Sequence, residues 1–347
     1  AMPENKIRIG FIGAGGNTKL KHIPGFQKIE GVELVSVANR SIESGQKISD
    51  EFGIPNVYGN WQELLEADDC DAICIGTWPY LHSTLVLESL AHEMHVLTEA
   101  RMAMNASQAH EMLAASLDQP NLVAQIVPAP HTLKLDQTIQ DLIQNGFLGE
   151  IISVELNLHE GNFIDRHSPL HWRHNRDLSG FNIMALGIWY EAMMRWVGPA
   201  SSVIALTKTH VKYRKDEHGR SHHITIPDHI DILSELASGP TARLRLSTVL
   251  GHAPSNNVWI YGTDATLMIE AETMTLFGGS KNDSKLKQIQ IPKDKQGFWR
   301  VEQEFINAIR GIEPVTHTNF YDGVRYMEFI EAVTRSSQTG MKVNLPL

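Results

Sequence analysis

The stretch Ile7-Arg8-Ile9-Gly10-Phe11-Ile12-Gly13-Ala14-Gly15-Gly16-Asn17-Thr18 constrains the fold more than any other. Ile7, Ile9, Phe11 and Ile12 form a short apolar strand that runs straight into glycines. Glycine tolerates backbone conformations that a Cβ disfavours and lets the main chain approach a bound group closely. Gly13 and Gly15 fit the first two positions of a dinucleotide-binding turn, where a pyrophosphate meets a helix N-terminus. The third position holds Thr18, and glycine turns after strands are common, so the residues that follow must decide.

Residues 6 to 127 alternate strand and helix signals, the pattern of a parallel sheet with helices on both faces, an α/β Rossmann domain. The second strand, Val32 to Ala38, is rich in β-branched residues and ends at Asn39-Arg40-Ser41. An acidic residue at that tip would bond an adenosine ribose 2′-hydroxyl. Here Asn39 and Arg40 offer no carboxylate to repel a 2′-phosphate, and Arg40 can pair with one or lie against adenine, which leans to NADP over NAD. Asn60 is expected to cap a short helix. The fourth strand, Asp71 to Gly76, delivers Thr77-Trp78-Pro79-Tyr80-Leu81-His82 at its C-terminal end, where ligands of open α/β sheets bind. A strand from His95 to Glu99 follows, then Ala100-Arg101, and Asn105 with Gln108 marks a helix start. The cofactor-binding set is therefore Gly13, Ala14, Gly15, Asn17, Asn39, Arg40, Thr77, Trp78, His82 and Glu99.

From residue 128 the pattern changes. Ile152, Val154, Leu156 and Leu158 alternate with Ser153, Glu155, Asn157 and His159, a period of two that marks a strand with one apolar and one polar face. The same alternation recurs around Ile230 and Ile232, at Leu244 and Leu246, and at Val258 to Tyr261. The expectation is an α+β domain with a large, mostly antiparallel sheet. The division is 1–127 for dinucleotide binding and 128–347 for substrate binding and oligomerisation; the polar sheet face either meets solvent or packs on a second copy of the chain, and a homo-oligomer through this sheet is expected. Tyr213 to Ser221 reads as a charged, mobile loop.

Composition narrows the partners. Asp and Glu number 40 against 30 Lys and Arg, a net charge of -10 that argues against nucleic acid or an anionic membrane. No apolar run is long enough to span a bilayer. Pro3-Glu4-Asn5-Lys6 lead into the first strand, so no signal peptide is expected. The two cysteines, Cys70 and Cys74, suit buried reduced thiols in a cytoplasmic protein. Histidines number 17 and cluster at His167, His171 and His174 and again at His222, His223 and His229, but in no standard zinc spacing, so no metal is expected.

Signatures spread over nearly the whole chain resemble the Gfo/Idh/MocA family of glucose–fructose oxidoreductase, inositol dehydrogenase and their relatives. They are the Gly13-Ala14-Gly15 turn with His22 and Pro24, the Thr77–His82 loop, His95-Val96-Leu97-Thr98-Glu99, the Trp172-Arg173 to Ser179-Gly180 segment, Tyr261 to Leu267, and the tail with Asp322-Gly323. The resemblance implies NAD or NADP in the first domain and a carbohydrate-like substrate at a cleft between domains. It also implies a Glu-Lys-Pro tripeptide where this chain has Glu99-Ala100-Arg101. Aligned on Gly180 and Gly187, the family's aspartate and histidine fall on Ala185 and Trp189. Alanine and an indole cannot exchange protons as those groups do.

Substitutes for proton handling are expected among Tyr190, His171, Glu191 and His131, with Arg173, Arg101, Trp172, Trp189, His159 and His167 for substrate binding. The expected function is an NAD(P)-dependent oxidoreductase acting on a sugar, polyol or glycoside with non-standard acid/base residues. The alternatives are a cofactor-dependent glycosidase or lyase with no net redox change, or a non-catalytic nucleotide- or sugar-binding regulator.

Overall fold

The computed structural model describes residues 6–347; residues 3–5, read above as leading into the first strand, lie outside them. The chain forms two compact units. One runs to Pro128 and resumes over Arg300–Val324, and the other comprises Ala129–Trp299 and Arg325–Leu347.

The first unit holds six strands, β1 (Ile7–Ile12), β2 (Val32–Ala38), β3 (Asn56–Tyr58), β4 (Ala72–Ile75), β5 (His95–Thr98) and β6 (Ala124–Ile126). They pair in parallel in the order β3-β2-β1-β4-β5-β6, the order of a doubly wound nucleotide-binding sheet. Ile9, Phe11, Ile73, Ile75, Val96 and Leu97 are fully buried, as parallel strands covered on both faces require. The helices between them are α1 (Ile23–Gln27), α2 (Ile42–Phe52), α3 (Trp61–Glu66), α4 (Pro79–Ala91) and α5 (Ala106–Asp118). Ser41, Asn60 and Asn105 cap α2, α3 and α5 by accepting from Ser44, Glu63 and Gln108 N–H. Both cysteines are buried thiols without a disulfide.

The second unit begins with α6 (Leu133–Gln144) and β7 (Ile151–His159), then α7 (Arg176–Ser179) and α8 (Leu186–Val197). The strands β8 (Ala200–Lys208), β9 (Tyr213–Lys215), β10 (Ser221–His223), β11 (His229–Leu236), β12 (Thr241–Ser247), β13 (Asn257–Gly262), β14 (Ala265–Glu270), β15 (Thr275–Ser280) and β16 (Lys287–Gln288) follow. The chain closes with α9 (Val301–Ile309), α10 (Phe320–Thr339) and β17 (Val343–Asn344). Nine strands form one mixed sheet in the order β16-β15-β14-β13-β7-β12-β11-β8-β17, in which only β7 and β12 run parallel. Val154, Leu156, Ile230, Ile232, Leu244 and Leu246 fill its inner face.

Tyr213 to Ser221 is not a free loop. Its ends pair as the hairpin β9–β10, and Asp216 holds the turn by accepting from His218 N, Arg220 N and the His222 ring. Strands of three residues, Tyr213-Arg214-Lys215 and Ser221-His222-His223, are too short to show an alternation.

Candidate functional site

The glycine turn is locked against the end of β4. Gly13 has φ +73°, and a Cβ there would stand 2.6 Å from Thr77 Cγ2. A Cβ on Gly76 would meet Gly13 O and Thr18 Oγ1. The room that a third glycine usually gives is thus supplied by Gly76, and Thr18 is accommodated, buried, in its place. Gly15, Gly16 and Asn17 stay exposed at the start of the helical stretch leading into α1, and a Cβ on Gly16 would enter open space. Thr77 Oγ1 is buried without a protein partner. Exposed backbone at a helix start and an orphaned hydroxyl beside it fit a dinucleotide's phosphates and ribose.

Asn39 faces the turn. Its Oδ1 accepts from Ala14 N at 2.8 Å and its Nδ2 donates to Ser44 Oγ at 2.9 Å, so this amide braces the cradle instead of presenting a ribose ligand. Arg40 is exposed, its guanidinium 5.9 Å from the Trp78 ring centroid. His82 is corrected from ligand to strut. It is wholly buried, and its ring nitrogens lie 2.8 Å from the Thr77 and Arg101 carbonyl oxygens. Burial outweighs those carbonyls and lowers its pKa.

Glu99 belongs to a buried charge chain. Its carboxylate accepts from Asn17 Nδ2 at 2.6 Å and meets His22 Nε2 at 2.6 Å, while His22 Nδ1 lies 3.0 Å from Glu302 on α9. Burial alone would lower the His22 pKa, but the flanking carboxylates push it up to about 9. Burial works against the Glu99 carboxylate too, and His22 still holds it below the usual range. Glu99 therefore anchors the Asn17 side chain beside the turn.

The second unit contains a cavity of about 530 Å³. Trp189, 6% exposed, forms one wall with His131 stacked on it, centroids 6.2 Å apart and planes 21° apart. Ala185 stands beside them. Opposite polarity comes from the turn Trp172–His174, where His171 Nδ1 accepts from Arg173 N and His174 Nδ1 accepts from His171 N. Burial, with Arg173 nearby, lowers the His171 pKa; burial, with Arg214 and His171, brings His174 down to about 4. Both rings are neutral at pH 7, and with Nδ1 accepting, each carries its proton on Nε2 as a donor.

Of the residues singled out in the sequence, the cavity gathers His131, His159, His171, Arg173 and Trp189. Tyr190 and Glu191 are corrected: they are core groups, not acid/base groups. Tyr190 stacks on Phe329 at 3.8 Å, and its hydroxyl accepts from Ala200 N; burial pushes its pKa well up. Glu191 is 2% exposed, accepting from Ala129 N and Arg195. Residues one or two places round a helix from a cavity residue point elsewhere, which a linear scan does not resolve. Trp172 lies under the Arg173 guanidinium at 4.7 Å, outside the cavity wall. His167 sits in an exposed turn held by Asp165, also outside it. Arg101 is in the first unit, its carbonyl at His82. His174, Arg214, Asp228 and Ser247 line the cavity and were missed. His174 lay within a noted histidine cluster; the others come from the hairpin and the strand ends. Among the described residues no group of His, Cys, Asp or Glu could hold a metal ion, and no helix is long and apolar enough to cross a membrane.

A parallel sheet with a glycine-turn cradle, followed by a mixed-sheet unit with a polar and aromatic cavity, defines the class of two-unit NAD-binding oxidoreductases. The family model described as "oxidoreductase family, NAD-binding Rossmann fold" matches residues 7–125, and that of the "GFO/IDH/MocA C-terminal domain" matches residues 137–268. The chain belongs to the Gfo/Idh/MocA oxidoreductase family. It is 23% identical over 347 residues to dTDP-3,4-didehydro-2,6-dideoxy-alpha-D-glucose 3-reductase of Streptomyces antibioticus, covering 96% of this chain and 97% of that one. Levoglucosan dehydrogenase in complex with NADH and levoglucosan shares the fold with a TM-score of 0.85 at 18% identity, covering 98% of this chain and all of that one. The WlbA dehydrogenase of Bordetella pertussis, in complex with NADH and UDP-GlcNAcA, does so with a TM-score of 0.78 at 22% identity over 99% of both chains.

Proposed function

We propose that the chain is an NAD(P)-dependent dehydrogenase or reductase of a sugar or polyol, held in the second-unit cavity. The observation that carries this is the cavity wall itself: an indole with an imidazole stacked on it, facing neutral histidine donors. An apolar ring surface suits the C–H face of a sugar, and N–H donors suit its hydroxyl oxygens. Relatives whose names carry sugar substrates support the same reading. Gly13, Ala14, Gly15, Asn17 and Thr77 would hold the dinucleotide, and a bound dinucleotide would supply the hydride acceptor or donor. Arg40 at a strand tip without a carboxylate favours NADP. His171 Nε2–H donates to a substrate oxygen, Arg173 and His159 border it, and His171 and His131 are the acid/base candidates left from the sequence.

The test is a panel of levoglucosan, L-sorbose, myo-inositol and aldoses with NAD⁺ and NADP⁺, following reduced cofactor and product separately. Reduced cofactor with an oxidised sugar supports the proposal. Silence in both readouts overturns it. The second reading, a closed redox cycle in a glycosidase or lyase, is favoured by Ala100, Ala185 and Trp189 at the usual proton-handling positions; it gives product from a glycoside with no net change in cofactor.

The exposed sheet face supports self-association. Ile204 and Leu233, 47% and 58% exposed, stand opposite each other in register, in one row with Arg243, Glu155 and Trp259. Apolar residues beside an Arg–Glu pair are self-complementary about a two-fold axis. A dimer by sedimentation that Leu233→Glu dissociates supports this face; an unaltered dimer overturns it.

A further inference from the structure

One cation of the cavity has no task in the binding of a neutral sugar. Arg214 lies in the middle of β9, directly across from His222 on β10. The Tyr213 and His223 rings pack together on one face of this hairpin, centroids 5.4 Å apart. Alternation puts Arg214 and His222 on the other face, the half-buried one, and there Arg214 lines the cavity. Leu170 N donates to Lys215 O at 2.8 Å, and Arg214 Nη1 donates to Ser168 O at 3.0 Å. The hairpin is thereby tied to the segment that leads into the His171–His174 turn.

The bond to Ser168 is the only hydrogen bond the Arg214 guanidinium makes among the described residues, and Nε is buried without a partner. Nε and Nη2 form the edge of a guanidinium that meets a carboxylate through two parallel bonds. The carboxylates nearby are engaged elsewhere. Asp228 accepts from His210 N and Val211 N, and Asp165, exposed, accepts from His167 N, Ser168 N and Ser168 Oγ. Glu160 and Glu272 line the cavity as exposed groups. The Arg214 charge is felt inside the cavity: after burial it is the largest cause of the low pKa of His174, whose ring lines the same wall space.

We propose that the substrate of this cavity is an acidic sugar, a uronic or aldonic acid, whose carboxylate is held by the Nε–Nη2 edge of Arg214 with the His174 Nε2–H beside it. The proposal rests on the reading of the cavity as a sugar site and adds the substrate class. One guanidinium edge matches one carboxylate in shape and in charge. A phosphate would bring a second negative charge beside Asp228, with no further cation to balance it at this corner. Nη2 is the open end of the edge. The carboxylate meets it first, and Nε–H, now covered, joins as the side chain turns about its Ser168 bond. Arg214 is in these terms a specificity-determining residue.

Calorimetry on the whole chain, with NAD⁺ or NADP⁺ present, compares D-glucuronate with D-glucose, D-galacturonate with D-galactose, and D-gluconate with sorbitol. In at least one pair the acid is expected to bind at least ~10-fold tighter than its neutral counterpart, and less so at high salt. Neutral sugars remain substrates with a higher KM. Arg214→Gln, folded by circular dichroism, is expected to bring the acid-to-neutral ratio close to one. Arg214→Lys keeps the charge but loses the fork, and recovers only part of the ratio. Neutral sugars that bind the wild type as tightly as the acids overturn the acid inference and leave the sugar reading standing. A preference that survives in Arg214→Gln overturns Arg214 as its source, and glucose 6-phosphate bound more tightly than glucuronate overturns the carboxylate. Binding of neither acids nor neutral sugars overturns the sugar reading, and the inference with it.

Discussion

Glu302→Gln probes the buried chain Glu99–His22–Glu302. His22 is 0% exposed and lies 2.6 Å and 3.0 Å from the two carboxylates. Its pKa rises from 6.5 to about 9 on folding, which corresponds to about 3 kcal/mol of stability linked to its proton. The folded state binds that proton more tightly than the unfolded state. The contribution is therefore complete below pH 6.5 and is lost as pH climbs to 9, at about 1.4 kcal/mol per pH unit. The amide of Glu302→Gln keeps the size and removes one of the two charges. The variant is expected to be less stable by about 1.5–2 kcal/mol at pH 6–7, roughly half the linked energy. The deficit should shrink towards zero above pH 9, where neither protein holds the proton. Urea unfolding followed by circular dichroism, at matched pH from 6 to 9.5, measures the gap, and comparison with wild type cancels groups that titrate in both. A gap that is equal at pH 6 and 9.5 would refute a charged His22.

Further outcomes are expected. Gly13→Ala forces a φ of +73° on a residue with a Cβ that collides with Thr77; calorimetry should show dinucleotide binding weakened at least tenfold, with about 1–3 kcal/mol of stability lost. Tyr190→Phe strands Ala200 N–H in the core; it should cost about 1–3 kcal/mol in unfolding assays and leave kcat unchanged, and a large kcat loss would restore Tyr190 as an acid/base group. Trp189→Leu removes the ring surface under His131; sugar KM should rise about tenfold in steady-state kinetics, more than kcat falls. Arg40→Ala should weaken NADP binding more than tenfold by titration and leave NAD untouched; equal effects would assign Arg40 to adenine stacking alone.

The first unit was legible because parallel strands buried on both faces write themselves as apolar runs, and Asn60 and Asn105 announce the helix starts they cap. The period of two at 152–158 showed the second sheet because only one of its faces is buried. The site was less legible. Tyr190 and Trp189 are adjacent in sequence, but one faces the core and the other the cavity. Asn39 sits at the expected strand tip, but its amide turns to Ala14, a choice made by local hydrogen bonding. His174, Arg214, Asp228 and Ser247 reach the cavity from separate segments, which alternation along any one strand does not bring together.

The return of Arg300–Val324 to the first unit has a consequence for the protein's birth on the ribosome. Glu302 pairs with a histidine 280 residues earlier. When the nascent chain has delivered its parallel sheet, His22 is still without its second carboxylate. At about 5–20 residues per second, the ~170 residues that intervene take roughly 10–30 s to emerge. For that time His22 lacks both the cover and the second carboxylate that α9 brings, so a chain truncated after Pro128 is expected to be less stable than the whole protein and to be cleared by proteases.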